Sequence, residues 1–285
     1  MNKFLTFLII ALISLSVHSQ KKPAYSLFNE KGKKVSYKKM LKKIVKADVV
    51  LFGEHHNNPI VHWLQLELTK DIQKERSIVV GFEMIERDNQ SQLNDYLSDA
   101  INQKAFDTVA RLWPNYKTDY KPIVDFAKDN DIKAIATNVP RRYASKIFSG
   151  GFEALDSITE QEKTWIAPLP IKYDPNLPGY VEMKKMMGGH GGDNLPKAQA
   201  IKDATMAYFL LKNRKNNELF IHYNGSFHSD NFDGIYWYLK QENPNLNIIT
   251  ITTKEKEGSI KKLDKENLNT ANFIIQIPEN MTKTY

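Results

Sequence analysis

Val49-Val50-Leu51-Phe52-Gly53-Glu54-His55-His56-Asn57-Asn58-Pro59 is the stretch from which the fold can be read. Four unbroken apolar residues, two of them β-branched, describe a strand covered on both faces, as the strands of a parallel sheet are. Asn58 followed by Pro59 marks a helix start, because asparagine caps the first turn and proline lacks an N–H that the first turn cannot use. A strand, a tight turn and a helix in such quick succession open a βαβ unit.

The same pattern recurs along the chain. Ser77 to Phe82, Ile132 to Thr137, Glu218 to Tyr223, Ile248 to Thr252 and Phe273 to Ile277 are further strand candidates. Amphipathic stretches lie between them: Pro59 to Gln73, Asn89 to Gln103, Pro122 to Asn130 and Pro140 to Phe148. This alternation predicts an α/β fold with a mostly parallel central sheet flanked by helices. Tyr25 to Ser36 reads as a small hairpin around Glu30-Lys31-Gly32, and the last strands as an edge of the sheet. The stretch at about 151–196 breaks the alternation with Pro168, Pro170, Pro175, Pro178 and two Gly-Gly pairs. It predicts a helical insertion forming a smaller lid subdomain, with Gly188 to Gly192, around His190, as its tip.

Composition bounds the setting. Residues 1–19 combine Lys3, an apolar run from Phe4 to Val17, and small residues at Val17 and Ser19, the pattern of a cleaved signal peptide. The run is short of the roughly 20 apolar residues that span a bilayer. Export to the periplasm or the medium is therefore expected. With no cysteine in the chain, neither a disulfide framework nor a lipid-carrying cysteine is expected. Residues 20–285 are then one domain carrying its insertion. The net charge of +7 gathers partly in Lys31 to Lys46 and Lys254 to Lys265, without the stacking or recognition-helix patterns of a nucleic-acid binder. No nucleic-acid partner is expected.

Three strand ends carry chemistry. Glu54, His55 and His56 follow the first buried strand, Glu83 the second, and His228 the segment Asn224-Gly225-Ser226-Phe227. In open parallel sheets ligands bind outside the carboxyl ends of the strands. Alternation along a strand puts Glu54 and His56 on one face and His55 on the other. Convergence of His56, Glu83 and His228 is a donor set for a divalent metal ion, with Glu54 placed as general base for hydrolysis of a peptide or ester. The HExxH helix, the GxSxG elbow and the P-loop are absent from the sequence.

The order of six segments resembles the ChaN family of haem-binding uptake proteins, within a superfamily shared with the Tiki proteases and erythromycin esterases. These segments are Gly53 to Pro59, Glu83-Met84, Trp113 to Pro122 (with Tyr116 and Tyr120), Thr137 to Arg141, Ala198 to Ala207, and Gly225 to His228. The resemblance implies haem binding in iron uptake, haem held at a homodimer interface, a tyrosine as iron ligand, and delivery that involves an outer-membrane receptor. Tyr143 is the candidate ligand, since a phenolate favours ferric haem. Arg141 and Arg142 are candidates for pairing with the propionates or lowering the phenol pKa, and Tyr173, Tyr180 and His190 are secondary candidates for the iron ligand. Met183, Met186 and Met187 offer a surface for a porphyrin face. Family members commonly carry a lipid-anchoring cysteine, which this chain lacks.

Overall fold

A computed structural model of the chain describes residues 22–186 and 192–285. The expected signal peptide and the tip with His190 lie outside the described residues. Seven strands form one sheet in the order β1-β7-β6-β2-β5-β3-β4. They are β1 (Ser26–Asn29), β2 (Val49–Glu54), β3 (Ile78–Glu86), β4 (Lys133–Asn138), β5 (Leu219–Gly225), β6 (Ile248–Lys256) and β7 (Phe273–Pro278). Strands β2 to β7 pair in parallel, and only β1 runs antiparallel, against β7.

Helices cover both faces. In chain order they are α1 (Tyr37–Ile44), α2 (Pro59–Glu75), α3 (Gln90–Leu97), α4 (Gln103–Val109), α5 (Lys121–Asp129), α6 (Arg141–Gly150), α7 (Glu160–Lys163), α8 (Pro178–Met186), α9 (Asn194–Asn213) and α10 (Ile235–Glu242). Side chains of β2 alternate between two cores, as a pleated strand requires. Val50 and Phe52 pack with Leu64 and Leu68 of α2, whereas Val49 and Leu51 pack with Phe209 and Leu210 of α9. The Asn58 side chain accepts from the Ile60 N–H, and Pro59 opens α2. The residues that announced a helix start are the ones that make it.

Two expectations are corrected. Asn89 to Gln103 is not one helix: Asp99 has φ +60°, a left-handed conformation that ends α3, and Asn102 then caps α4 through the Ala105 N–H. The last strands extend the sheet without forming its edge, because β1 covers β7 and turns back through Glu30 to Gly32. The 151–196 stretch carries α7, α8 and a short 3₁₀ turn at Phe152–Leu155. Its Leu155, Ile158 and Ile166 pack on Tyr143 and Ile147 of α6 and on Ile201 of α9. Tyr180 of α8 packs against Ala200 of α9.

Candidate functional site

The carboxyl ends of β2, β3 and β5 meet at the centre of the sheet, where a cavity of about 400 Å³ opens. Glu54, His56, Glu83, His228, Gln199 and Met183 are among the residues that line it. Their convergence follows from strand order, since β5 lies between β2 and β3. Met183 comes from α8, so the insertion does reach over the strand ends.

Glu54 is buried at the end of β2 and fully engaged. Its Oε1 accepts from the Tyr120 hydroxyl at 2.7 Å and lies 2.9 Å from His56 Nδ1; its Oε2 accepts from the Gln65 amide at 2.5 Å. The main-chain carbonyl of His56 accepts from Asn115 at 2.7 Å and faces His62 Nε2 at 3.0 Å. Trp113 packs edge-on against the His56 ring, with centroids 4.9 Å apart. Burial disfavours a charged His56, but the hydrogen bond to Glu54 and the charge of Glu83 outweigh it and raise the imidazole pKa. His55, beyond the end of β2, lines the same cavity as His56. Burial lowers its pKa, and Lys254 and Lys283 lower it further.

The second half is a three-membered chain. His228 Nδ1 lies 2.5 Å from Asp203 Oδ1, and its Nε2 lies 3.2 Å from Glu83 Oε1. Glu83 Oε2 also accepts from the Gly225 N–H at 2.6 Å, and Asp203 Oδ2 from the Tyr180 hydroxyl at 3.0 Å. Burial opposes charge on His228, yet the two carboxyl groups prevail and push its pKa up to about 10. Burial likewise opposes charge on Glu83, but the charge and hydrogen bond of His228 hold it well below the usual carboxylate range. Asp203 goes the other way: burial outweighs the pull of His228 and raises its pKa. We read the trio as an imidazolium shared by two carboxyl groups, Glu83 being the more firmly ionised.

Both nitrogens of His228 face carboxyl oxygens, Nδ1 that of Asp203 and Nε2 that of Glu83. Among the described residues no group of three or more His, Cys, Asp or Glu is arranged to hold an ion. His56, Glu83 and His228 come together as predicted, but as internally neutralised partners.

The haem candidates lie elsewhere. Tyr143 is fully buried among Ile147, Leu155 and Ile158, and its hydroxyl donates to Glu162 at 2.9 Å. Burial, then the Glu162 hydrogen bond, raise its pKa. A phenolate at Tyr143 would face the Glu162 carboxylate, so this side chain is not presented to iron. Arg142 pairs with Asp88 at 2.7 Å and lies over the Tyr143 ring, while the Arg141 N–H donates to Glu86 at 3.0 Å. Arg141 itself is exposed.

A larger cavity, of about 630 Å³, lies between α9 and the segment Ala167 to Lys172. Pro168, Pro170, Ile171, Ala207 and Leu211 line it, together with Lys172, Tyr208 and Lys212. Sequence reasoning missed this cavity, and it missed Asp203 and Gln199 in the first one. Gln199 and Asp203, polar residues four apart and so on one face of α9, were the available signal for the latter.

A parallel α/β sheet with a buried acid–imidazole cluster at its strand ends and a helical insertion above them defines the class of fold. The chain belongs to the family described as haem-binding uptake, Tiki superfamily, ChaN, which matches residues 40–239. ChaN of Campylobacter jejuni, described for cofacial haem binding, has the same fold with a TM-score of 0.65, at 18% identity over 90% of this chain and 98% of that one. A succinoglycan biosynthesis protein is similar with a TM-score of 0.51, at 13% identity over 90% of this chain and 94% of that one. Protein RETICULATA-RELATED 5, chloroplastic, from Arabidopsis thaliana is 24% identical over 139 residues, which are 46% of this chain and 18% of that relative's length.

Proposed function

We propose that this protein binds haem outside the cytoplasm and serves haem-iron uptake. The observation that carries the reading is family membership over residues 40–239. The molecule also supplies a receptacle, a largely apolar cavity of about 630 Å³ lined in addition by Tyr208, Tyr238, Lys172, Lys212 and Glu242. A porphyrin needs apolar walls for its faces and cations for its propionates, and ferric iron accepts a phenolate. When bound, haem would supply the iron cargo; the chain's part is to orient it and shield it from water. The metal-dependent hydrolase reading, with His56, Glu83 and His228 as ligands, is not favoured by the family match.

Export rests on the apolar leader at residues 1–19, and dimer formation and receptor delivery rest on the family resemblance. Haemin titration of the purified protein tests the central claim. A shifted Soret band saturating at a fixed stoichiometry is expected, and an unshifted spectrum would refute haem binding. The mature protein recovered from the culture or periplasm should begin at Gln20. Sedimentation with and without haemin reads the dimer: a monomer under both conditions would remove the shared-interface proposal.

A further inference from the structure

We propose that the sheet edge built from β1, α1 and the loop before β7 docks on anionic phospholipid, its unpaired lysines meeting the headgroups and Trp63 entering the interface. Every lysine from Lys31 to Lys46 is exposed, and no acidic residue interrupts that run. Lys261, Lys262 and Lys265, distant in sequence, are exposed as well. The fold brings the two runs together. Strand β1 pairs with β7, the Asn269 N–H donates to the Glu30 carbonyl at 2.8 Å, and the Lys43 ammonium lies 5.7 Å from the centroid of the Phe273 ring. Gly32 belongs to this junction, since a Cβ there would lie 2.8 Å from the Leu268 side chain. Among the described residues none of these lysines pairs with a carboxylate, whereas Lys70, Lys74 and Lys256 pair with Glu67, Asp71 and Asp264. That leaves Glu30, Glu257 and Glu266 as the unpaired acids in or next to the two runs.

A protein surface ordinarily intersperses both signs, because a field of one sign repels itself. A partner of opposite charge relieves that repulsion. Two features favour a lipid surface over an acidic protein. The cations of both runs are all lysines; arginine, whose planar fork matches a fixed carboxylate, is absent from them. A hydrated ammonium on a flexible stem suits headgroups that move laterally. The second feature is aromatic. Trp63 on α2 is 52% exposed, and its ring centroid lies 6.4 Å from that of Tyr25, which shares a small interior space with Tyr37 and Met40 of α1. Indole and phenol rings prefer the boundary between headgroups and acyl chains. No helix among the described residues is long and apolar enough to cross a membrane, so the docking is peripheral and held chiefly by charge.

The test is sedimentation of the exported protein with vesicles of one part phosphatidylglycerol to two parts phosphatidylcholine, or of phosphatidylcholine alone. Binding is expected to the first only, and salt at about 0.5 M should release it, because screening then acts within about 5 Å. Lys34→Gln, Lys38→Gln, Lys39→Gln and Lys42→Gln combined should weaken partitioning about a hundredfold or more, since each lysine at an anionic surface contributes roughly fivefold. The same charge loss at Lys104, Lys133, Lys146 and Lys215, exposed on other elements, should weaken it less than about tenfold. Circular dichroism should stay native in both, as glutamine keeps the helix propensity of lysine. Tryptophan emission should shift to the blue on binding, and Trp63→Phe should remove that shift. Equal weakening by the two lysine sets would show that net charge alone acts, and would overturn the face. A blue shift retained in Trp63→Phe would overturn the entry of Trp63. Wild type that ignores phosphatidylglycerol, or binds both vesicles alike, would overturn the proposal whatever else the protein binds.

Discussion

Gly225 shows how closely the strand-end groups are fitted. A Cβ at this position would sit 2.7 Å from His56 Nε2 and 3.6 Å from Glu83 Oε2, so the residue is glycine because the imidazole needs its space. Gly225→Ala is expected to push His56 away from Glu54 and to cost about 1–3 kcal/mol in urea unfolding. Combining it with His56→Ala should recover part of the loss, because the clash is then gone. Equal losses in the single and double variants would show that the strain lies elsewhere. His228 makes a second prediction, this one in pH. Its pKa rises from 6.5 to about 10 in the folded protein, so its contribution is complete below about 6.5 and fades as pH climbs through about 10. Glu83, depressed instead, contributes above the usual carboxylate range and fails in acid. His228→Asn should therefore lose about 3–5 kcal/mol at neutral pH and flatten the alkaline fall of the unfolding free energy relative to wild type. A wild-type profile as flat as the variant's between pH 7 and 10 would contradict the buried imidazolium. The sequence revealed the Glu54, His56, Glu83 and His228 positions because polar groups after apolar strands stand out. It could not reveal that Asp203 completes the trio, since its partner His228 lies on the far side of β5 in sequence and nothing local marks the pair. Tyr143 misled for a related reason: a tyrosine beside two arginines looks available until Glu162, from the insertion, takes its hydroxyl.

Strand β4 lies at the edge of the sheet, where unpaired backbone groups invite association with other chains. Gln90, at the start of α3, meets this need by acting as a short stretch of strand. Its amide donates to the Ala134 carbonyl at 3.0 Å, and its Oε1 accepts from the Ala136 N–H at 2.8 Å. The same Oε1 accepts from Arg87 at 2.8 Å, which fixes the orientation. Gln90→Ala strips two backbone partners and should cost about 1–3 kcal/mol, with faster aggregation on mild heating. Gln90→Glu is the sharper control, because a carboxylate can accept from Ala136 but cannot donate to Ala134. It should fall between wild type and alanine in denaturant midpoint, and equality of all three would show that water serves the edge equally well. At this scale the sequence was most informative about buried strands, whose apolar runs need no context. It was least informative about α3 and α4, where the apolar pattern continues through Asp99 and only the left-handed turn separates them. The edge position of β1 was equally hidden, since strand order depends on which surfaces meet across the whole chain.

The two cavities of the whole molecule make opposite demands on stability. At the strand ends, charges compensate one another within the fold: Glu83 and Asp203 share His228, and Glu54 is held by Tyr120, Gln65 and His56. Nothing from outside is required there. Among the described residues the slot along α9 instead leaves apolar walls uncovered. Ligand that binds the folded state alone adds about 2.7 kcal/mol at a hundredfold excess over its dissociation constant. For a domain of this size that corresponds to a rise in melting temperature of roughly 5–10 °C. Haemin should therefore raise the melting temperature by several degrees, whereas EDTA should leave it unchanged. If haem is also shared between two subunits, the haemin-induced rise should grow with protein concentration, and the apo melting temperature should not. A fall with EDTA would show that a metal ion supports the strand-end cluster and would favour His56, Glu83 and His228 as its ligands. A haemin shift independent of protein concentration would place each macrocycle wholly within one chain.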